Sequence, residues 1–154
     1  MCGSELTSSG SERELREAPD EVGAVNREYI DAGARVVTAC NYAVTPTLLA
    51  REGMEHMVEE LSVLAVDLAA RAREESGVDV RIAASLPPLN TSYRADLVAS
   101  DEELQREYAR LANLLAPRVD ILLCETLSVG REAAAAAEAA LSTAREVWWS
   151  WTLD

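Results

Sequence analysis

The sequence contains no lysine: it has 14 arginines and only one histidine. Its 27 acidic residues outnumber the arginines and give a formal net charge of −13 at pH 7. A chain this acidic repels the phosphates of nucleic acids and the surface of anionic membranes. We therefore expect neither nucleic acid nor membrane as a partner, and we interpret the charge as favouring solubility.

Long apolar runs and a cysteine framework are also absent. No run approaches the roughly 20 apolar residues of a membrane-spanning helix, and the start, "MCGSELTSSGSERELREAPDE", lacks the apolar core of a signal peptide. The three cysteines, Cys2, Cys40 and Cys124, are odd in number and far apart, which argues against disulfides. The sequence therefore predicts a cytoplasmic protein with reduced thiols.

What the chain does contain is an alternation of helical and strand-like segments. Apolar residues make up 49% of it, which is typical of a folded globular protein. Apolar runs near residues 36–41, 80–85, 119–124 and 147–152 predict four strands, and helical periodicity fills the segments between them. Such alternation is typical of parallel strands joined by helices and paired in sequential order. The predicted class is α/β.

Local signals divide the chain and mark its helix ends. Residues 1–18 form a polar segment that we expect to be mobile, and residues 19–154 form one domain. Gly33 suits the end of the first helix of that domain, and Gly53 is expected to break a long helical pattern in two. Ser100, three residues before a glutamate, predicts the start of a later helix through a capping box.

Glycine-rich phosphate-binding motifs of the G-x-G-x-x-G and G-x-x-x-x-G-K-[ST] types are missing, so the common nucleotide-binding folds have no motif support. Periodicity alone does not distinguish an open doubly wound sheet from part of a (β/α)8 barrel. In both folds, ligands bind at the carboxyl ends of the strands. Candidate site residues are therefore sought at those ends.

Glu125 is the most informative of these residues, because it directly follows the apolar run of "VDILLCET". A carboxylate at such a partly dry strand end can bind an ammonium group or transfer a proton. It can equally cap the next helix or pair with an arginine. Position alone favours neither explanation.

Residues after the first two strands are further candidates. Asn41 and Tyr42 can hydrogen-bond a ligand, although turn formation explains an asparagine at such a place about as well. Ser85, just before two prolines, can form the edge of a pocket, and a rigid turn is the slightly favoured alternative.

Cysteines at two strand ends raise the possibility of zinc, which binds thiolates. Cys124 and Glu125 are adjacent on a strand, however, so their side chains point to opposite faces, and Cys124 is expected to pack against the helices. Buried, unreactive thiols are also common, so local metal binding is disfavoured. His56 is expected on the surface. Three tryptophans of the last strand are expected in the core: Trp148, Trp149 and Trp151.

Four segments match one known family in order and spacing: "PDEVGAVNREYIDAGARVVTACNYAVTPTLLAREG", "RIAASLPPLNTSYRADL", "VDILLCETLSVGREAAAAAEAA" and "VWWSWTLD". Together they resemble the homocysteine S-methyltransferase family. The resemblance implies a (β/α)8 barrel that transfers a methyl group from a donor such as S-methylmethionine or S-adenosylmethionine to the thiol of homocysteine, giving methionine. It also implies that Glu125 and Thr126 match the family's Glu-Thr after the fourth strand, which holds the homocysteine amino group. Asn41, Tyr42 and Ser85 are then expected beside them as substrate-binding residues.

The resemblance covers only the N-terminal half of the family's barrel, strands two to five of eight. In the family, three cysteine thiolates that follow the sixth and eighth strands hold a zinc ion, which activates the thiol. Those ligands would lie beyond Asp154, so residues 1–154 alone are expected to bind no zinc and to make no methionine. A half barrel has open sheet edges, which predict self-association.

Three functional hypotheses remain open on the sequence. The first is part of a zinc-dependent methyltransferase acting on homocysteine or a related thiol. The second is a non-catalytic, degenerate half barrel that acts only in assembly or interaction. The third is an unrelated α/β enzyme with Glu125 as general base. The sequence does not identify the methyl donor.

Overall fold

The sheet has four parallel strands in the order β1-β2-β3-β4, and the computed structural model describes residues 11 to 152. The strands are β1 (Val36–Thr38), β2 (Arg81–Leu86), β3 (Ile121–Leu127) and β4 (Glu146–Trp151). The helices are α1 (Ser11–Glu17), α2 (Pro19–Asp31), α3 (Pro46–Ala50), α4 (Val58–Ser76), α5 (Asp101–Leu115) and α6 (Gly130–Leu141). Short 3-10 turns cover Glu55–Met57, Ala95–Leu97 and Ala116–Arg118. The predicted α/β class and the sequential parallel order are confirmed.

Helix boundaries follow the local signals in the sequence. Gly33 and Gly53 adopt positive φ angles of 104° and 68°, where a side chain would be strained. Gly33 follows the end of α2, and Gly53 lies between α3 and α4, so the long helical pattern is interrupted as predicted. The Ser100 hydroxyl accepts a hydrogen bond from the Glu103 N–H at 3.3 Å and caps α5.

Helix α1 lies inside the segment for which the sequence predicted mobility. Leu15 of this helix is fully buried, and the helix packs against α2 and α4. Burial of a leucine side chain stabilises such a contact by about 1.5 to 3 kcal/mol. The mobility expected for residues 1–18 stays a prediction, and residues 1–10 lie outside the described part of the chain.

The two faces of the sheet have different environments because side chains alternate along each strand. One face packs on the helices and forms the core with apolar residues that include Val37, Ile82, Ala84, Leu86, Leu122 and Cys124. The register places the following residues of β1, β2 and β3 on the other face: Thr38, Ala83, Ser85, Ile121 and Leu123. In a closed barrel this second face points inward.

The tryptophans of β4 are exposed, so the prediction that they lie in the core is wrong. Trp148, Trp149 and Trp151 keep 41%, 50% and 52% of their surface accessible. Among residues 11–152, β4 pairs only with β3 and no helix follows it. A tryptophan becomes buried only when packing partners cover its ring. The described chain supplies no strand or helix beside the open edge of β4.

Candidate functional site

The carboxyl ends of β2 and β3 bring two of the predicted site residues into direct contact. The Ser85 hydroxyl donates a short hydrogen bond to Oε1 of Glu125. The register explains the contact, because Ser85 pairs with Leu123 and the residue two positions further along β3 shares its face. Ser85 lies within strand β2 and is 1% exposed, so it is not part of a turn.

Glu125 is half-buried, and only one of its two carboxylate oxygens, Oε1, forms a hydrogen bond within the described chain. Among residues 11–152, its Oε2 has no hydrogen-bond partner and the side chain forms no ion pair with an arginine. It does not cap the next helix either, because the N-cap position of α6 is Val129, with no side-chain cap. Neither of the two structural explanations for Glu125 therefore applies in the described chain, and Oε2 is available to a ligand.

Asn41 supports this pair from the segment that follows β1. Its side chain is buried, its Nδ2 donates to the Ser85 carbonyl at 2.9 Å, and its Oδ1 accepts from the Ser85 N–H at 2.9 Å. The amide thus replaces a backbone partner and continues the β1–β2 pairing beyond Ala39, whose N–H donates to the Ala83 carbonyl. Asn41 positions Ser85, which in turn binds Glu125.

Thr126, the next residue after Glu125, has a strained backbone. Its φ angle is +59°, a left-handed conformation that is rare for β-branched residues. The pairing of β3 with β4 is irregular between Cys124 and Leu127 and resumes where Leu127 pairs with Trp151. An irregularity of this kind redirects side chains at a strand end, and strained residues are concentrated at functional sites.

Replacing Thr126 with Gly is expected to stabilise the fold by about 0.5 to 1 kcal/mol, because glycine adopts positive φ without strain. Ala144 is a matched control, since it has a φ of +57° in the exposed turn before β4. Ala144→Gly is expected to stabilise the fold by a similar free energy, and a rise in the thermal midpoint of unfolding measures both changes. A lower midpoint for Thr126→Gly alone would show that the threonine side chain contributes more than its backbone strain costs.

Tyr42 points toward a different partner, the segment 87–100 that joins β2 to α5, which we call the β2–α5 loop. The Tyr42 and Ser92 hydroxyls lie 2.5 Å apart. The Thr47 hydroxyl also donates to the Asn90 side chain of this loop, at 2.7 Å. The β2–α5 loop therefore lies beside the residues that follow β1, at the end of the sheet where Glu125 is found.

Glu132 was not identified from the sequence, although it is a charged residue with only 2% of its surface exposed. It accepts from the Leu89 N–H at 3.2 Å and lies 3.3 Å from the Tyr108 hydroxyl. Burial raises the pKa of Glu132, and burial together with the nearby Glu132 carboxyl raises the pKa of Tyr108. Helical spacing is the signal that could have found it, since Glu132 lies on the same face of α6 as the buried Ala136.

The cysteines and the histidine do not form a metal site in the described chain. Cys124 is fully buried against the helices as predicted, and burial raises its pKa to about 11, which keeps the thiol protonated near neutral pH. Cys40 is half-buried, and His56 is exposed as predicted. Between residues 11 and 152 there is no group of three or more His, Cys, Asp or Glu side chains that could hold a metal ion. These residues therefore do not fit a zinc centre.

Comparisons with known proteins agree with this arrangement. A family model described as homocysteine S-methyltransferase matches residues 2–154. The homocysteine S-methyltransferase of Escherichia coli (strain K12) is 30% identical over 159 residues, which cover 93% of this chain and 51% of that protein. The chain spans about half the length of the curated relative it matches.

Solved structures of the homocysteine methyltransferase MmuM from Escherichia coli are also similar. Its metallated form gives a TM-score of 0.85 at 29% identity, over 98% of this chain and 58% of that one. Its apo form gives a TM-score of 0.72 at 28% identity, over 99% of this chain and 54% of that one. The match confirms that the four strands are part of a (β/α)8 barrel and make up about half of it.

Proposed function

This chain belongs to the homocysteine S-methyltransferase family, and we propose that it forms the part of a methyltransferase site that holds the amino-acid end of homocysteine. The observation that carries the proposal is the Ser85–Glu125 hydrogen bond at the carboxyl ends of β2 and β3. It fixes one carboxylate oxygen of Glu125 and leaves the other without a partner in the described chain. A fixed, half-buried carboxylate is suited to bind an α-ammonium group.

The neighbouring residues have supporting roles in this proposal. Asn41, in the segment that follows β1, fixes the backbone of Ser85, which in turn binds the carboxylate. Thr126, a half-buried residue, adds a hydroxyl group next to Glu125. Tyr42 approaches the same end of the sheet through its contact with the β2–α5 loop. We assign substrate contacts to Glu125, Thr126 and Tyr42, and a positioning role to Asn41 and Ser85.

The proposed reaction transfers a methyl group from a donor such as S-methylmethionine or S-adenosylmethionine to the homocysteine sulfur. The new S–CH3 bond forms as the donor's bond to that methyl breaks, and the electron pair of the broken bond stays on the donor sulfur, which leaves as a neutral thioether. The thiol proton passes to water, and methylated homocysteine is methionine. The contribution of these residues is orientation, because a substrate anchored through its ammonium group presents its sulfur in a restricted position. The family's zinc has no ligand set among residues 11–152, so no step is assigned to a metal here.

Calorimetry of homocysteine binding tests the proposal in a complete barrel that contains these residues. The comparison ligand is 4-sulfanylbutanoate, which keeps the thiol and the carboxylate but lacks the amino group. We expect homocysteine to bind more tightly than this analogue, because only homocysteine presents an ammonium group to Glu125. Equal affinities would contradict the assignment.

The open edges of the sheet support a further part of the proposal, self-association. Among residues 11–152, β1 pairs only with β2, and β4, with its exposed tryptophans, pairs only with β3. Unpaired strand edges bind other strands, so we expect light scattering to give a mass above that of one chain. A single-chain mass at all concentrations would rule this out.

The other partners in this proposal are the small-molecule thiol and the methyl donor, and we place the protein in the cytoplasm. None of the helices in this part of the chain is long and apolar enough to cross a membrane.

A further inference from the structure

We propose that Arg131 and Glu132, adjacent residues in the first turn of α6, act as positioning residues that fix both ends of the β2–α5 loop and thereby hold Tyr42 in place. We call these two residues the clamp. The functional meaning of the clamp rests on the proposed homocysteine site, since Tyr42 is one of its residues. The geometry of the clamp itself is independent of that function.

Glu132 holds the beginning of the loop. Its Oε1 accepts the Leu89 N–H at 3.2 Å, and the same oxygen lies 3.3 Å from the Tyr108 hydroxyl. That hydroxyl donates to the Pro87 carbonyl at 2.8 Å. Pro87 and Leu89 are buried, so their polar backbone groups depend on these protein partners.

Arg131 holds the end of the loop. Its Nη2 donates to the Val98 carbonyl at 2.8 Å, and its Nη1 donates to the Ala99 carbonyl and to Asp101 Oδ1 at 2.9 Å. The planar guanidinium carries several donors in a fixed arrangement, so one side chain can bind consecutive carbonyls. Two adjacent residues of one helical turn therefore tie down both ends of the same loop.

The middle of the loop depends on its fixed ends. Residues 93–97 are exposed, whereas Leu89 and Ala99 are buried. Between the ends, the Ser92 hydroxyl lies 2.5 Å from the Tyr42 hydroxyl. Holding both ends reduces the number of conformations open to the loop, so less conformational entropy is lost when Ser92 contacts Tyr42. The clamp thus connects α6 to Tyr42 through the loop, although neither clamp residue has a hydrogen bond to Tyr42.

The role of Glu132 in the clamp is that of an acceptor, and its negative charge is not required. Both of its polar contacts involve the single atom Oε1. A glutamine has an amide oxygen that can take the same place. Glu132→Gln is therefore expected to preserve the clamp, whereas Glu132→Leu, which has a similar size and no acceptor, is expected to break it.

Amide hydrogen exchange of residues 89–100 tests the clamp in the 154-residue chain. We expect these amides to exchange about tenfold faster in Glu132→Leu, because one lost hydrogen bond corresponds to about that factor. Glu132→Gln is expected to exchange like the unchanged chain. Glu138→Leu is the matched control, since it makes the same substitution at an exposed position of the same helix. Unchanged exchange in Glu132→Leu, or equal acceleration in Glu132→Gln, would overturn the proposal.

Arg131→Ala provides a second variant whose folding is less at risk, because Arg131 is exposed. We expect faster exchange near Val98 and Ala99 and a shifted ring resonance of Tyr42 in the NMR spectrum. Arg145→Ala, an exposed arginine in the turn before β4, is the control and is expected to change neither. A Tyr42 resonance that stays in place while the loop amides accelerate would overturn the link from the clamp to Tyr42.

Homocysteine binding separates the clamp from the proposed function. In a complete barrel, Glu132→Leu is expected to weaken homocysteine binding, whereas Glu132→Gln is expected to bind homocysteine as tightly as the unchanged barrel. If homocysteine does not bind even to the unchanged barrel, the proposed function fails, and the exchange and resonance measurements still decide the clamp. If homocysteine binds and Glu132→Leu has no effect on its affinity, the positioning role is wrong.

Discussion

Replacing Glu125 with Gln is expected to weaken homocysteine binding by about 1.5 to 3 kcal/mol, the usual contribution of a hydrogen bond to a charged group. This corresponds to a roughly 10- to 150-fold higher Kd. The amide keeps an oxygen that can accept from Ser85, so the local structure is expected to remain. The charge that attracts the substrate ammonium is removed, and calorimetry on a complete barrel measures the difference.

The control for this experiment is Glu138→Gln, which removes the same charge from the exposed surface of α6. It alters the net charge equally and is expected to leave the affinity for homocysteine unchanged. The amine-free analogue 4-sulfanylbutanoate should bind equally to the unchanged protein and to Glu125→Gln. An unaltered homocysteine affinity in Glu125→Gln would remove the basis of the proposed function.

Replacing Asn41 with Ala is expected to lower the free energy of unfolding by about 2 to 4 kcal/mol. The substitution leaves both the N–H and the carbonyl of Ser85 without their side-chain partner in a buried place, and each unsatisfied group costs about 1 to 3 kcal/mol. Urea denaturation followed by circular dichroism measures the change as a lower transition midpoint.

Two further variants show whether the amide of Asn41 is responsible. Asn113→Ala removes the same side chain from an exposed position of α5 and is expected to change stability little. Asn41→Asp keeps an acceptor for the Ser85 N–H but places a carboxylate oxygen against the Ser85 carbonyl. Its loss of stability is expected to be large at neutral pH and to decrease as the introduced carboxylate is protonated at lower pH. Equal midpoints for Asn41→Ala and Asn113→Ala would contradict the assigned role.

The outline of the site could be predicted because it depends on local sequence and on simple geometry. Glu125 follows an apolar strand, and carboxyl ends of neighbouring parallel strands lie at one edge of a sheet, so its contact with Ser85 agrees with the expected neighbourhood. The opposite direction of Cys124 followed from side-chain alternation. Tyr42 was expected to lie near Glu125, but its hydrogen bond to a loop 50 residues away required the fold.

Residues whose partners are distant in sequence could not be assigned in advance. The amide of Asn41 binds a backbone 44 residues away, and a turn or a ligand explained the residue equally well before that contact was seen. Glu132 begins an alanine-rich helix, where a glutamate usually faces solvent. Its burial depends on contacts with the β2–α5 loop and with Tyr108 of α5.

The sequence by itself determined the class of the fold, the order of its strands and the position of Glu125 at a strand end. These follow from hydrophobic periodicity, helix-ending glycines and the alternation of side chains, which act over a few residues. The tertiary structure alone decided which polar atoms meet, how the clamp holds the β2–α5 loop, and that the tryptophans of β4 are exposed. Burial and hydrogen-bond partners are set by contacts between segments far apart in the chain, and no local pattern specifies those contacts.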